Sequence, residues 1–342
     1  MIARERVSRI IAVFALTVLV AGCGRRDVLP TDVGGDRAPG TAALRGEAAA
    51  TSGHHGFYPL EIGNRWHYAR VFTVWIRGGA PAGPPDAVLI RSTRSAELTG
   101  VESLFDRDYV IERDAVIEES RTDTFVTRLA YRQDRSGLYE ADLPLAEQPL
   151  AARPPAEDHA WQRLAASLAD PASREAYRAA WERLQVRLDA VRAVLEGGAG
   201  EAARRGPRGG PLDHEITRLR YPLRPGARWV IRDDPRFESF VERPDLLNLP
   251  AGRFGAWRVR IASVLFGPQD IVRTWYGRAG YLRLEAHLES EARDQNGQPI
   301  GTLVSEQTEA LDDLQLVGRD RIAMEPLPIG RAPTAGAGAA RR

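Results

Sequence analysis

"FYPLEIGNRWHYARV", Phe57 to Val71, comes back in altered form as "RYPLRPGARWVIRDD", Arg220 to Asp234. With Tyr58 set against Tyr221, the residues Tyr58, Pro59, Leu60, Gly63, Arg65 and Trp66 match Tyr221, Pro222, Leu223, Gly226, Arg228 and Trp229. The spacing is that of a strand entrance: Pro fixes φ and cannot continue a central ladder, Gly permits the turn, and Trp starts the strand. Each copy therefore predicts the first strand of a β-rich half, with Trp66 and Trp229 in equivalent buried places.

The segments after each copy alternate as strands do. "RWHYARVFTVWI" puts Trp66, Tyr68, Phe72, Val74 and Ile76 on one face, with Arg70 the exception. "AVLIRSTRSAEL", "DYVIERDAVIEE" and "TFVTRLAYRQ" read as further strands of the first half. In the second half, Trp257, Val259, Ile261 and Leu265 alternate against Arg258 and Arg260. In "GYLRLEAHLESEA", Leu282, Leu284, Ala286 and Leu288 oppose Arg283, Glu285, His287, Glu289 and Glu291, so this strand has one wet face. Asn296-Gly297 then offers a hairpin turn into "GTLVSEQTEAL".

Between the halves the period changes. Asp170-Pro171 supplies an N-cap and a first-turn proline, and Tyr177, Ala180, Trp181, Leu184, Leu188, Val191 and Leu195 fall at helical spacing until Gly197-Gly198. "EDHAWQRLAASL" reads as a shorter helix before it. This insert is either a lid over an apolar cavity or a helical hairpin packed on one sheet face, and packing is the simpler reading. The expected fold is mainly β with a helical insert (α+β), two related antiparallel halves that stand either as separate sheets or as one curved sheet or half-barrel.

The chain of 342 residues has 43% hydrophobic and 27% charged residues, a globular composition. All 47 basic residues are Arg. Without Lys there is no usual Walker loop, no Schiff-base lysine and no Ser/Lys dyad. A net charge of +1 speaks against a nucleic-acid partner.

At the N-terminus Arg4, Arg6 and Arg9 precede "IIAVFALTVLVAG", about 13 residues, too short for a ~30 Å hydrocarbon core but the size of a signal-peptide h-region. "VAGC", Val20 to Cys23, resembles the lipobox of bacterial lipoproteins. That resemblance implies a cleaved signal and acyl chains, palmitate among them, on Cys23, which is the lone cysteine. Two or three chains anchor stably where one does not. The position after the Cys holds Gly24 rather than Asp, which by the same resemblance implies a lipid-anchored place at the outer membrane. From Arg25 to Gly56 the composition is that of a tether, with a reach on the order of 30 Å.

The expected organisation is a signal peptide at 1–22, a tether at 23–56, a first β half at 57–150, a helical insert with Gly/Arg loop at 151–211, a second β half at 212–322 and a tail at 323–342.

No motif points to catalysis. His67, His159, His214 and His287 are scattered, the pair His54-His55 sits on the tether, and "DHE" at Asp213 to Glu215 reads as a solvated turn. Asp106 with Asp108, and Glu118 with Glu119, are carboxylate pairs of the glycosidase type, more simply read as halves of cross-strand ion pairs. No catalytic, cofactor or metal residue is assigned. Trp66, Trp75, Trp229, Trp257, Trp275 and Tyr276 are read as core, with apolar or sugar pockets the alternative.

"YPLEIGNRWHY", "LPAGRFGAWRV" (Leu249 to Val259) and "WYGRAGYLRLE" (Trp275 to Glu285) resemble elements of a group of uncharacterised bacterial lipoproteins. The resemblance covers Phe57 to Leu316 apart from the helical insert, and it implies a fold and a place in the envelope but no active site. At the level of architecture, the chain is also similar to lipid-anchored half-barrel carriers of the bacterial envelope. The expected function is a non-enzymatic envelope lipoprotein binding an apolar ligand or a protein partner. A carboxylate-dependent hydrolase of envelope polymers and a structural component of an outer-membrane assembly are the alternatives. A carrier requires a deep apolar cavity under the helices, and an enzyme requires carboxylates converging in a cleft.

Overall fold

The computed structural model describes residues 57–78, 87–119, 124–141, 156–195 and 214–317. Cys23, the tether, His54-His55, Asp213, the Gly/Arg loop and the tail lie outside these residues.

Twelve strands follow in chain order: β1 (Arg65–Arg77), β2 (Val88–Leu104), β3 (Arg107–Glu118), β4 (Thr124–Gln133), β5 (Gly137–Ala141), β6 (Glu215–Arg220), β7 (Arg228–Asp233), β8 (Arg236–Leu249), β9 (Gly252–Ser263), β10 (Ile271–Gly277), β11 (Gly280–Arg293) and β12 (Pro299–Gln315). They form one antiparallel sheet in the order β6-β5-β4-β3-β2-β1-β12-β11-β10-β9-β8-β7. Mainly β with a helical insert is therefore the fold, as one curved, nearly closed sheet. Its first and last strands pair in the middle, Trp66 opposite Leu314 and Arg77 opposite Thr302. The discontinuity falls instead between the consecutive strands β6 and β7, where the indole Nε1 of Trp229 donates to the Thr217 carbonyl at 3.1 Å.

The doubled stretch builds two matching turns. Gly63 and Gly226 both have φ in the left-handed region, at 93° and 82°. Their N–H groups donate to the carbonyls of Leu98 and Val241, each at 2.8 Å, and Asn64 and Ala227 close the turns onto Glu61 and Arg224. Trp66 and Trp229 follow as the second residues of β1 and β7, and both are buried. Their indoles differ in partner, Trp66 donating to the Ala279 carbonyl at 2.7 Å.

Two expectations shift. The expected start of the second half at 212 does not follow the hydrogen bonding, because β6 pairs with β5. The helices thus interrupt a run of six strands instead of separating two runs, since strand order is set by ladders and not by sequence texture. In β9 the buried residues are Phe254 and Ala256, then Val259 and Ile261. The alternation slips at Trp257–Arg258, opposite an irregularity between Val241 and Arg243, so Trp257 is only half-buried and Leu265 lies beyond the strand.

Among the described residues two helices fill the concavity: α1 (Ala156–Ser167) and α2 (Pro171–Leu195). Asp170 caps α2, its carboxylate accepting from the Ser173 N–H at 2.8 Å. The stripe Tyr177, Ala180, Trp181, Leu184, Leu188 and Val191 is buried in the same core as Trp66, Tyr68, Leu282, Leu284 and Leu288. Burying one large side chain of this stripe stabilises by about 1.5–3 kcal/mol, so the stripe ties the helix to the sheet. Polar ties add direction: Tyr177 donates to the Ile300 carbonyl at 3.3 Å, and Arg187 reaches the Asp270 carboxylate at 2.6 Å. The insert is a packed hairpin.

Candidate functional site

The inward positions of several strands carry charge where the alternation asks for an apolar side chain. In β1 the buried frame runs Trp66, Tyr68, Arg70, Phe72 and Val74. Arg94 occupies the corresponding frame of β2 beside Ala96 and Leu98, and Glu112, Asp114, Glu140, Arg218 and Glu309 extend the set through β3, β5, β6 and β12. None of these seven exceeds 8% exposure.

Arg94 is the hub. It donates to Glu309 at 3.0 Å, to Asp114 at 2.8 Å and to Glu112 at 3.4 Å. Arg70 holds the other oxygen of Glu309 at 2.7 Å, and Arg218 holds Glu140 at 2.5 Å. Tyr58, from the strand entrance, donates to Glu112 at 2.6 Å. The guanidinium of Arg94 also lies over the rings of Tyr68 and Tyr281, 5.1 and 5.7 Å from their centroids.

Three guanidinium groups face four carboxylates, and the imbalance settles on Glu112. Burial, and then the charge of Asp114, push its pKa up to about 8, against the opposing pull of Arg94. Raised this far above the ordinary carboxylate range, Glu112 is the member of the cluster that most readily holds a proton. Burial opposes the charge of Arg94, but Asp114, Glu309 and Glu112 together keep its pKa well above the ordinary value. Burial and then the Glu112 charge hold the Tyr58 hydroxyl in its neutral form.

The space left among these groups is about 30 Å³, bounded by Tyr58, Arg70, Arg94, Tyr131, Arg218 and Glu309 among others. That is room for one or two water molecules. It is not the deep apolar cavity a carrier requires, nor the open cleft a hydrolase of polymers requires. Chemically the cluster can store a proton at Glu112 and fix the relative positions of β1, β2, β3 and β12, because separating any pair strands a buried charge.

The residues singled out in the sequence are not brought together. Glu118 is buried with His159 at 4.0 Å, while Glu119 is exposed. Asp106 sits at a hairpin tip with φ 60°, and Asp108 accepts from Ser103 at 2.6 Å. His67 meets Ser95, and His287 lies between Glu289 and Glu306. His214 stacks on Phe105 at 3.9 Å. Its neighbour Glu215 is not solvated as expected: fully buried, it accepts from Tyr109 at 2.7 Å and Arg132 at 2.9 Å, because the β2–β3 hairpin and β4 supply donors around it. Trp66, Trp229 and Trp275 are core, and Trp75 is half-buried. Among the described residues no group of three or more His, Cys, Asp or Glu is placed to hold a metal ion.

Arg70 was visible in the sequence as a break in alternation. The same signal, a charge in the inward frame, was present at Arg94, Glu112 and Glu309, but it becomes readable only when the frame of each strand is known.

No protein-family model matches this sequence, and no curated protein sequence matches it. Solved structures give a distant likeness. A protein of Bacteroides fragilis described as exported, with a YmcC-like fold, is 11% identical over 76% of this chain and 99% of its own, with a TM-score of 0.32. A protein of Parabacteroides distasonis described as a lipoprotein is 12% identical over 76% of this chain and 98% of its own, with a TM-score of 0.29.

Proposed function

We propose that this chain is a lipid-anchored envelope protein of bacteria that works by binding at its outer surface and not by catalysis. The charged leader, the short apolar run and "VAGC" support export and acylation at Cys23, and Gly24 supports the outer membrane over the inner. The observation that carries the second half is the filled interior: the helices occupy the concavity, and about 30 Å³ remains among paired charges. A lipid or a polymer has no place there, so a partner meets the exterior. The matching turns at Gly63 and Gly226 further support reading the two six-strand runs as copies of one unit.

Anchoring is tested by expressing Cys23→Ser in the native host and fractionating the cells. Release from the membrane fraction with an unchanged melting temperature is expected. Retention by the membrane would overturn the lipobox reading. The interior is tested separately by native mass spectrometry of the protein purified from its host, where a stoichiometric co-purifying lipid would overturn the reading of a filled, non-carrier fold.

A further inference from the structure

The outer wall of β7 to β10 carries an excess of arginine. Trp229, Val241, Val259 and Val272 of these strands are buried in the core, so the alternate residues Arg228, Phe240, Arg260 and Arg273 face outward. Register sets the four in one row across neighbouring strands, with Arg228 opposite Phe240, Phe240 opposite Arg260, and Arg260 opposite Arg273. The guanidinium groups of Arg228 and Arg260 reach the Phe240 ring from the strands on its two sides, 5.3 and 5.9 Å from its centroid. Arg228 is exposed, and Phe240 and Arg260 are half-buried, so a solute can meet all three.

The carboxylates of this wall are engaged elsewhere. Glu242 lies 2.6 Å from Arg258 and 3.2 Å from Arg273. Asp245 takes Arg243 at 3.0 Å, Glu238 takes Arg236 at 2.8 Å, and Glu285 pairs with Arg283. Among the described residues no carboxylate pairs with Arg228 or Arg260. Arg260 also stands directly opposite Arg273, and like charges so placed destabilise a ladder. An anion seated here relieves that repulsion. Its chemistry follows from the forks it must fill. A guanidinium stacked on a ring keeps its N–H edge free to grip two oxygens of an anion, and the two edges here come from strands on opposite sides of β8. A carboxylate has two oxygens in one plane and fills one fork. A phosphate monoester has three terminal oxygens set tetrahedrally and close to two negative charges at neutral pH, so it answers both.

We propose that Arg228, Phe240 and Arg260 form a surface site for a phosphate monoester, with Arg273 adding charge from the next strand. Phe240 holds the two guanidinium groups in place, and they supply the bonds. The site names the chemistry of a partner at the outer surface and rests on that reading. The anchor and the filled interior have their own tests, so phosphate binding can fail while both stand.

The test titrates the full chain, in nonionic detergent at about pH 8 where the monoester is doubly charged, with inorganic phosphate and glycerol phosphate, followed by calorimetry. Both are expected to saturate with a Kd on the order of 1 mM at low ionic strength, and acetate to bind several-fold more weakly. Arg228→Gln and Arg260→Gln should each weaken phosphate about threefold to tenfold, and Arg65→Gln, on β1 beside its own partner Glu97, should leave it unchanged. Should Arg260→Gln lower the melting temperature, the exposed Arg228→Gln decides. A second arm reads the source by phosphorus NMR of micelles doped with phosphatidic acid. Line broadening that Arg228→Gln removes assigns a lipid headgroup, binding of the soluble probes alone assigns a free ester, and either upholds the site. Absence of saturable phosphate binding up to about tenfold above that Kd overturns the proposal. So does binding that both variants leave intact, or that acetate matches.

Discussion

Replacing Glu112 by Gln removes one titration from the middle of the molecule and leaves its shape in place. Glu112 is fully buried, accepts from Tyr58 at 2.6 Å, and has its pKa pushed up to about 8 by burial and by Asp114. An unfolded glutamate titrates near 4.5. Because the folded pKa is the higher one, the folded state holds the proton more tightly across the interval between them. Stability contributed by this group is complete below pH 4.5 and is lost as pH rises through 8. The slope approaches 1.4 kcal/mol per pH unit, so the full loss is about 5 kcal/mol, an upper figure that relaxation and entering water reduce.

Gln keeps a neutral, hydrogen-bonding side chain of the same size, so the variant lacks this slope. Urea unfolding of wild type and Glu112→Gln at pH 5, 6, 7, 8 and 9 measures the difference directly, and titrating groups remote from Glu112 cancel in it. The variant is expected to gain on wild type steadily from pH 5 to pH 8 and to be the more stable protein at pH 9. A difference that is flat with pH, or one that moves the other way, would refute the reasoning that Glu112 is the neutral member of the cluster.

Arg94→Met should cost about 3–5 kcal/mol at pH 7.5, since it leaves Asp114 and its neighbours without their shared cation. In a domain of this size that is a fall of roughly 10 °C in Tm, and lowering the pH should recover part of it as the stranded carboxylates take up protons. Gly301→Ala should destabilise by about 1–3 kcal/mol, because a Cβ there would fall 2.2 Å from the Tyr177 hydroxyl and 2.5 Å from the Gly78 carbonyl. Combining it with Tyr177→Phe should return a part of the loss in a thermal melt, since one of the two clashes disappears.

The local grammar of the chain was legible. The strand entrances at Tyr58 and Tyr221, the wet and dry faces of β11, and the cap and stripe of α2 follow from φ restrictions, period 2 and period 3.6, all of which act within a few residues. Partner choice was not legible. Nothing within β1 says that it pairs with β12, and nothing in the texture around residue 212 says that β6 belongs with β5. The buried cluster lies on the far side of that limit. A single charge in an inward frame, as at Arg70, looks like an error of pattern until Arg94 and Glu309 arrive from strands distant in sequence. The slip at Trp257–Arg258 was hidden for a related reason, because a bulge is a property of two strands and is invisible in either alone.

The pairing of β1 with β12 also sets a clock. A chain made N-terminus first presents Arg65 to Arg77 early, yet the ladder on one edge of that strand needs residues 302 to 315, which follow much later. Until then β1 carries an open row of N–H and C=O groups, and Arg70 sits in the inward frame without Glu309. Loop closure of this span is slow and aggregation-exposed in any polypeptide. Completion of the sheet is therefore tied to the arrival of β12, and one edge of β1 stays unsatisfied until that strand is made.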